Sequence, residues 1–403
     1  MVLFGNKNTS EEITLIFDVG SSSVGGAIVR YQEDTLPQIL FTARKGIEFK
    51  YDFDYDRFYK SMLDSLESVT VDILTSLSGS VEEVSDSIEE SRSRVLGKRS
   101  KRKIKNIFCV FSSPWYMPRV VDVHNEFENE TQITSDVIIE IVKGAAKDLK
   151  KEIAPADSIS LLEERILEYK LNGYSIDDPL SSTAKTADLK LYFSAAAKQT
   201  LSAVKEPIRK NFSYRKIRTF SFMMAYFSVM RDMHPAVNSF AVFDFRGEVS
   251  ELAVIENDIL VSTVTVQIGK NELIRELSSS LNIDLFEATT KLNLYFAGKL
   301  TEGSADNIRS IVEEKKEEMK NELLNNIEKG IYIPNTSFVL ADMDMEDYAA
   351  DLMNSIYLIN SRESDIKILT SEYFDKFVTF SKSRYKDHFL SLESLFFRPI
   401  VNS

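Results

Sequence analysis

The sequence predicts an α/β fold in which one architecture occurs twice and a small α+β subdomain interrupts the first copy. Two segments, LIFDVGSSSVGGAIV (residues 15–29) and FAVFDFRGEVSELAVI (residues 240–255), each consist of an apolar strand, an Asp, a turn and a second apolar strand. Each hairpin is followed by a further strand and then by helices. Between them lies a stretch with the order strand, strand, helix, strand, strand. This order indicates a duplication of architecture rather than of sequence.

Length and composition limit the class of protein. A chain of 403 residues with 43% hydrophobic content is long enough for two or more domains with large cores. A net charge of -13 argues against a protein that coats nucleic acid, whose surface would be broadly basic. The single cysteine, Cys109, excludes an intrachain disulfide and is expected to be a buried strand thiol in a protein from a reducing compartment.

The chain shows no targeting or membrane-spanning pattern. Its start, MVLFGNKNTSEE, lacks both a cationic region and a long apolar region, and no later stretch is apolar enough to span a bilayer. We therefore expect a cytoplasmic protein without a transmembrane segment. His124, His234 and His388 lack ligand spacing, so neither a zinc site nor a histidine-based triad is predicted.

The order of elements divides the chain into four segments. Residues 1–103 are predicted to begin the first domain, and the boundary after residue 103 falls within a basic cluster from Lys98 to Lys105. This cluster is interpreted as a solvated linker, with contact to anionic lipid as the alternative. Residues 104–197 form the inserted subdomain, and residues 198–235 resume the first domain. Residues 236–403 form the second domain, with a helical subdomain at about 269–330 and a C-terminal helix that could return to the first domain.

The candidate ligand-binding groups lie in the two hairpins. A strand that ends in an Asp and a turn rich in Gly and Ser places a carboxylate and backbone N–H groups around one small volume, which suits a Mg-bound polyphosphate. Two such hairpins that face each other would clamp a phosphate chain. Alternatively, Asp18 and Asp244 could simply end their strands and accept hydrogen bonds from the turns.

These hairpins, together with the insertion and its LNGY and DP residues, resemble the actin-like ATPases and, among them, the FtsA and PilM branch of cell-division and type IV pilus proteins. The resemblance covers most of the chain. It implies an actin-like fold, which is a duplicated ribonuclease H-like fold of two domains, with an inserted α+β subdomain of the FtsA/PilM type. It also implies ATP or ADP with Mg as the ligand.

The resemblance assigns site residues at matching positions. The first phosphate loop matches throughout, whereas the second has Arg246 and Glu248 in place of glycines and Val249 in place of a threonine. Asp18 and Asp244 would hold Mg through water. The implied nucleotide-binding residues are Asp18, Gly20, Ser21, Ser22, Ser23, Asp244, Arg246, Gly247, Ser250, Gly269, Lys270, Glu287 and Lys291.

Two other landmarks of the family are altered. The Gly-rich adenosine turn corresponds to Ala341–Asp344 with no glycine, and a Glu-Pro pair near the phosphate corresponds to Phe222 and Met223. Nucleotide binding is therefore expected, and efficient hydrolysis is not. Arg246 could contact a phosphate, whereas Glu248 would repel one if it pointed inward.

Three functions remain open from the sequence. The first is a nucleotide-binding scaffold with weak or absent ATP hydrolysis, in pilus assembly or cell division at the cytoplasmic face of the envelope. The second is an ATPase whose domain closure drives assembly, and the third is a pseudo-ATPase that only binds protein partners. The C-terminal segment has few cations, so we expect docking onto the cytoplasmic peptide of a membrane partner rather than direct membrane binding. Self-association is a further expectation from the resemblance.

Overall fold

A computed structural model describes residues 11–79, 104–153, 158–212, 216–358, 363–381 and 385–402. The chain forms two compact units. Unit 1 comprises residues 1–110, 203–218 and 369–403, and unit 2 comprises residues 111–202 and 219–368. Most of the basic cluster Lys98 to Lys105 lies outside the described residues.

The described residues form fifteen strands and ten helices. The strands are β1 (Glu12–Val19), β2 (Ser23–Tyr31), β3 (Gln38–Gly46), β4 (Ile104–Phe111), β5 (Met117–Gln132), β6 (Ile159–Leu171), β7 (Tyr174–Ser175), β8 (Thr183–Ala197), β9 (Ile217–Ser221), β10 (Phe240–Phe245), β11 (Ser250–Glu256), β12 (Ile259–Val266), β13 (Thr336–Ala341), β14 (Asp365–Ile368) and β15 (Thr379–Phe380). The helices are α1 (Tyr55–Gly79), α2 (Ser135–Ile153), α3 (Lys198–Phe212), α4 (Phe222–Met233), α5 (Lys270–Leu281), α6 (Leu285–Phe296), α7 (Glu302–Asn326), α8 (Glu346–Leu358), α9 (Ser371–Phe374) and α10 (His388–Asn402).

Unit 1 is built on a six-stranded sheet with the order β15-β3-β2-β1-β4-β9. The predicted first hairpin is β1 and β2, which pair antiparallel with Asp18 opposite Gly25. Helix α1 packs on β2 and β3 through a fully buried stripe at helical spacing, which consists of Met62, Leu66, Val69 and Ile73. Gly26 permits this contact, because a Cβ there would lie 2.5 Å from Val69 Cγ1.

The C-terminal helix α10 also belongs to unit 1, where it packs against β1, β2 and β3. The Tyr31 hydroxyl donates to the Ser394 carbonyl at 2.8 Å. The Phe108 and Phe397 rings stack with centroids 4.1 Å apart. Cys109, on β4, is fully buried, which confirms the predicted strand thiol, and this burial raises its pKa to about 12.

Unit 2 contains a five-stranded sheet with the order β12-β11-β10-β13-β14. The predicted second hairpin is β10 and β11, in which Asp244 lies opposite Glu251. Strand β13 runs parallel to β10 on its other side. Helix α4 supports this sheet with an almost wholly buried sequence, and its Tyr226 hydroxyl donates to the Phe338 carbonyl of β13 at 2.9 Å.

A four-stranded antiparallel sheet with the order β5-β8-β6-β7 also lies in unit 2, and α2 packs on it. Strand β4, which the sequence pattern places at the start of the insertion, instead joins the six-stranded sheet beside β1. The four-stranded sheet thus begins at β5 rather than at residue 104. None of the described helices combines the length and apolar character needed to cross a membrane.

Candidate functional site

The first predicted phosphate loop is a tight turn between β1 and β2 in unit 1. Asp18, the penultimate residue of β1, is fully buried, and Ser21 is also fully buried. The Gly20 N–H donates to the Ser23 carbonyl at 3.1 Å, which closes the turn. The structure therefore brings Asp18, Gly20, Ser21, Ser22 and Ser23 together, as a hairpin turn requires.

Arg44 of β3 lies against this turn, and the sequence pattern did not assign it a role. Its Nη2 donates to Asp18 Oδ2 at 2.8 Å, and its Nη1 donates to Ser23 Oγ at 2.9 Å. A Cβ on Gly25 would lie 2.5 Å from Arg44 Nη2, so the glycine leaves room for the guanidinium. The Asp18 carboxylate thus already holds a cation supplied by the chain itself.

Asp387 provides a second carboxylate for the same guanidinium. It accepts from Arg44 Nε at 2.6 Å and from Arg44 Nη2 at 3.0 Å, which is a bidentate pair. Its Oδ1 also accepts the Leu390 N–H at 3.0 Å and caps the start of α10. Burial raises the pKa of Asp387, but the charge and hydrogen bonds of Arg44 outweigh burial and hold that pKa below its usual value.

The second predicted phosphate loop, in unit 2, has the same kind of pair within its own turn. The Nε of Arg246 donates to both carboxylate oxygens of Asp244, at 3.0 and 2.9 Å. The Arg246 guanidinium also lies 4.2 Å above the ring of Phe222, where cation–π attraction stabilises it. Arg246 is only 1% exposed. The Phe222 ring thus provides the apolar surface on which the Arg246 guanidinium lies.

The backbone of this second turn is bound to the start of α5. The Lys270 N–H donates to the Arg246 carbonyl at 2.9 Å, and the Asn271 N–H donates to the Gly247 carbonyl at 2.8 Å. Gly269 is required by this approach, because a Cβ there would lie 2.4 Å from both carbonyl oxygens. The first N–H groups of α5, which would otherwise suit an anion, are therefore used within the chain.

Glu248 points toward α5. Its carboxylate accepts from Arg275 Nη2 at 2.6 Å, from Arg275 Nη1 at 2.9 Å and from the Asn271 side chain at 2.8 Å. Ser250 points the same way, because its hydroxyl donates to the Ile268 carbonyl at 2.7 Å. Glu248 and Ser250 thus fasten the turn to the segment that begins α5.

The remaining predicted residues separate into two groups within unit 2. The Lys270 side chain forms an ion pair with Asp344, which lies in the predicted adenosine turn after β13. The Asp342 N–H of that turn donates to the Phe245 carbonyl at 3.2 Å, so this turn and the second hairpin are joined. Glu287 and Lys291 instead pair with each other at 3.5 Å along α6, and the Glu287 side chain is 50% exposed.

In both turns the carboxylate that the resemblance assigns to a hydrated Mg ion is paired with an arginine. A carboxylate that orients Mg-bound waters must present its lone pairs to them, whereas Asp18 and Asp244 each hold an arginine. Among the described residues, no group of three or more His, Cys, Asp and Glu side chains is placed to hold a metal ion. The two arginine–aspartate pairs therefore stabilise the two hairpins electrostatically.

A buried polar network in unit 2 was also not predicted. Glu251, across the hairpin from Asp244, accepts from the Ser113 N–H at 3.2 Å and from the Tyr116 hydroxyl at 3.1 Å. Burial raises the pKa of Glu251 by more than these hydrogen bonds lower it. The Thr265 hydroxyl also donates to Glu251 Oε1, at 3.5 Å. Glu251 thus joins the second hairpin to the loop that precedes β5.

The network continues to the four-stranded sheet. The Tyr192 and Ser221 hydroxyls lie 2.9 Å apart. Ser221, just before α4, donates its N–H and hydroxyl to Glu163 Oε2 at 2.8 and 2.5 Å. Burial also raises the pKa of Glu163. Glu163 on β6 therefore positions the helix that carries Phe222.

The stabilising role of Arg44 can be tested by substituting alanine. We expect Arg44→Ala to lower the free energy of unfolding by about 3–5 kcal/mol, because it leaves Asp18 and Asp387 buried without their shared cation. Arg30→Ala is the matched control on the neighbouring strand, since Arg30 pairs with Glu11 at a partly exposed site, and it should cost no more than about 1 kcal/mol. Urea denaturation measures the free energy of unfolding of both variants. Equal losses of stability would contradict the role given to Arg44.

The raised pKa of Glu251 predicts a pH-dependent effect of Glu251→Gln. A carboxyl whose pKa is higher in the folded state contributes stability below its unfolded pKa and loses it as pH rises through the folded pKa. Glutamine keeps a carbonyl for Ser113 and Tyr116 and carries no charge. The unfolding free energy of the variant relative to wild type should therefore rise as the pH increases above about 4. A difference that is constant or falls with pH would contradict this.

No protein-family model and no curated protein sequence matches the chain. Solved structures do match it. A chain of the PilM–PilN type IV pilus biogenesis complex matches with a TM-score of 0.63 and 13% identity, over 96% of this chain and 98% of that chain. A Bacteroides thetaiotaomicron protein described as having an actin-like ATPase fold matches with a TM-score of 0.41 and 10% identity, over 98% of both chains.

The ethanolamine utilization protein EutJ from Carboxydothermus hydrogenoformans has a TM-score of 0.38 and 11% identity, over 90% of this chain and 86% of that chain. Of these three matches, only the first is similar enough to support an assignment, and at that identity it supports the fold. The predicted fold class is confirmed: the chain has the actin-like ATPase fold, in the form found in the PilM–PilN complex.

Proposed function

We propose that this protein is an actin-fold scaffold for type IV pilus assembly, working at the cytoplasmic face of the envelope without Mg-dependent ATP hydrolysis. The absence of Mg-dependent ATP hydrolysis is inferred from the arginine that is bound to each hairpin carboxylate. Arg44 holds Asp18 in unit 1, and Arg246 holds Asp244 in unit 2. Each hairpin thus has the same kind of buried pair.

Phosphoryl transfer depends on positive charge placed beside the phosphate oxygens, which magnesium ions supply in ATPases of many folds. A buried carboxylate can neutralise either a fixed arginine or a hydrated metal ion, and both carboxylates are committed to arginine here. If Arg246 moved away from Asp244, its cation–π contact with Phe222 would be broken. The buried guanidinium would also lose its present partners. This favours the pseudo-ATPase interpretation over the active ATPase, and any ATP or ADP bound would be a structural ligand held without Mg.

The scaffold half of the proposal is supported by the match to a chain of the PilM–PilN complex over nearly the whole length of both chains. That match favours pilus assembly over cell division. A scaffold of this kind would recruit a membrane partner through a peptide on the cytoplasmic side. Recruiting a partner in this way does not require the hairpins to open or close on a metal ion.

Hydrolysis is tested with the purified chain. We expect phosphate release from ATP with Mg to stay at the level of a protein-free control, and Asp244→Asn to leave it there. Thermal unfolding with ATP should give the same midpoint with Mg and with a chelator, because neither carboxylate binds the ion. Turnover above background that disappears in Asp244→Asn would show an active ATPase instead.

The role in assembly is tested by deleting the gene in its own host and counting surface pili by electron microscopy. We expect pili to be lost and to return when the wild-type gene is supplied, with an immunoblot to verify that the protein is produced. Normal piliation after deletion would refute the assembly role.

A further inference from the structure

Residues 198–218 are strongly basic in an otherwise acidic chain. They contain seven lysine and arginine residues and a single acidic residue, Glu206, whereas the whole chain has 49 basic and 62 acidic residues. The described part of this segment forms helix α3 and the start of β9. Positive charge is therefore concentrated here against the balance of the chain, and its position in the fold decides what it can contact.

Helix α3 buries one side and exposes the other. Its buried side chains recur at helical spacing and are Leu201, Val204, Ile208 and Phe212. Near the end of the helix this side packs on the six-stranded sheet of unit 1, where the Phe212 and Phe17 rings have centroids 6.3 Å apart. The opposite side of α3 is thereby held toward solvent.

Four cations lie on the outer side of α3 or just after its end, and all of them belong to unit 1. Arg209 and Lys210 are exposed, and Lys205 is half-buried. Lys216 is exposed and follows the last residue of α3 by four positions, so it lies within about 14 Å of that end. We call Lys205, Arg209, Lys210 and Lys216 the α3 basic surface.

The chain does not neutralise the α3 basic surface. Among the described residues, none of its four cations forms an ion pair. Burial lowers the pKa of Lys205, and the positive charge of Arg209 also lowers it. By contrast, burial lowers the pKa of Lys316 on α7, but its ion pairs with Asp351 and Glu313 outweigh burial and raise that pKa. An anion from outside the chain would therefore relieve repulsion that the fold leaves in place on α3.

The form of the α3 basic surface limits the kind of partner. Its charges stand on the outer side of a helix, and the described residues between 198 and 218 include no exposed large apolar side chain. Protein interfaces depend on aromatic or apolar anchors, and single-stranded nucleic acids stack on aromatic side chains. An anionic bilayer requires neither, because its headgroups attract cations that only come near the surface.

We propose that the α3 basic surface contacts the anionic headgroups of a lipid bilayer. The presence of such a bilayer beside the protein rests on the proposed function, because the cytoplasmic leaflet carries anionic lipid, whereas the charge of the surface does not. The contact is electrostatic and involves no insertion. It is separate from the C-terminal segment, whose few cations gave no reason to expect membrane binding.

The strength of this contact is limited by the number of cations. Each cation near an anionic bilayer contributes about fivefold to the affinity, so four cations give a weak and reversible attachment. The overall charge of -13 does not prevent it, because charges farther than about 8 Å from the headgroups are largely screened at physiological salt. The contact would add to attachment through a protein partner by holding the chain close to the membrane.

The test uses the full chain and sedimentation with lipid vesicles. One set of vesicles contains equal parts of phosphatidylcholine and phosphatidylglycerol, and the other contains phosphatidylcholine alone. The neutralised variant is Arg209→Gln/Lys210→Gln/Lys216→Gln. The matched control, Lys143→Gln/Lys147→Gln/Lys299→Gln, changes the net charge equally at exposed lysines of unit 2.

We expect wild type and the matched control to bind the anionic vesicles equally, and the neutralised variant to bind them at least about tenfold more weakly. Neither vesicles of phosphatidylcholine alone nor high salt should allow binding, because the attraction is between charges. A third variant, Arg209→Lys/Lys210→Arg/Lys216→Arg, keeps each charge and should bind as wild type does. Circular dichroism verifies that all the variants are folded.

Several results would overturn the proposal. No binding of wild type to anionic vesicles would reject it, and full binding by the neutralised variant would place the contact elsewhere, for example at the cluster Lys98 to Lys105. An equal loss in the matched control would show an effect of net charge only. Binding to a DNA duplex but not to vesicles, lost in the neutralised variant, would assign the surface to nucleic acid.

The vesicle assay and the piliation experiment fail independently. Vesicle binding does not depend on pili, so normal piliation after deletion would refute the proposed function and leave the lipid contact standing. Loss of pili without vesicle binding by the purified chain would refute the lipid contact alone.

Discussion

Two buried arginine–aspartate pairs are the constraint on which both hairpins of this protein depend. Each Asp ends a central strand of its sheet at a site closed to solvent, where an isolated carboxylate would be too costly to keep ionised. Arg44 and Arg246 supply the missing charge from the chain itself. These are the two carboxylates that the sequence resemblance assigned to a hydrated Mg ion.

The supporting contacts make these pairs part of the architecture. Asp387 binds Arg44 and caps α10, so the C-terminal helix and the first hairpin share one guanidinium. In unit 2, Glu248 and Ser250 bind the second turn to α5 and its preceding residue, and Gly269 allows the backbones to touch. Each turn is therefore held to the rest of its unit by buried polar contacts.

The four-stranded sheet is a separate surface with its own chemistry. Glu163 and Glu251, both buried, tie this sheet and the loop before it to α4 and to the second hairpin. The sheet also has an edge strand, β5, beside a groove lined by apolar and polar side chains.

Local pattern in the sequence was sufficient for the elements and their order, because hydrophobic periodicity and turn residues are properties of neighbouring positions. It therefore predicted both hairpins, the turn residues from Asp18 to Ser23 and the duplicated α/β class. It did not predict that Arg44 and Asp387, which are remote in sequence, meet at Asp18, or that Glu248 turns toward Arg275. Nor did it place β4 in the six-stranded sheet. Those outcomes depend on which strands pair and which side chains share a buried volume, and only the tertiary structure decides this.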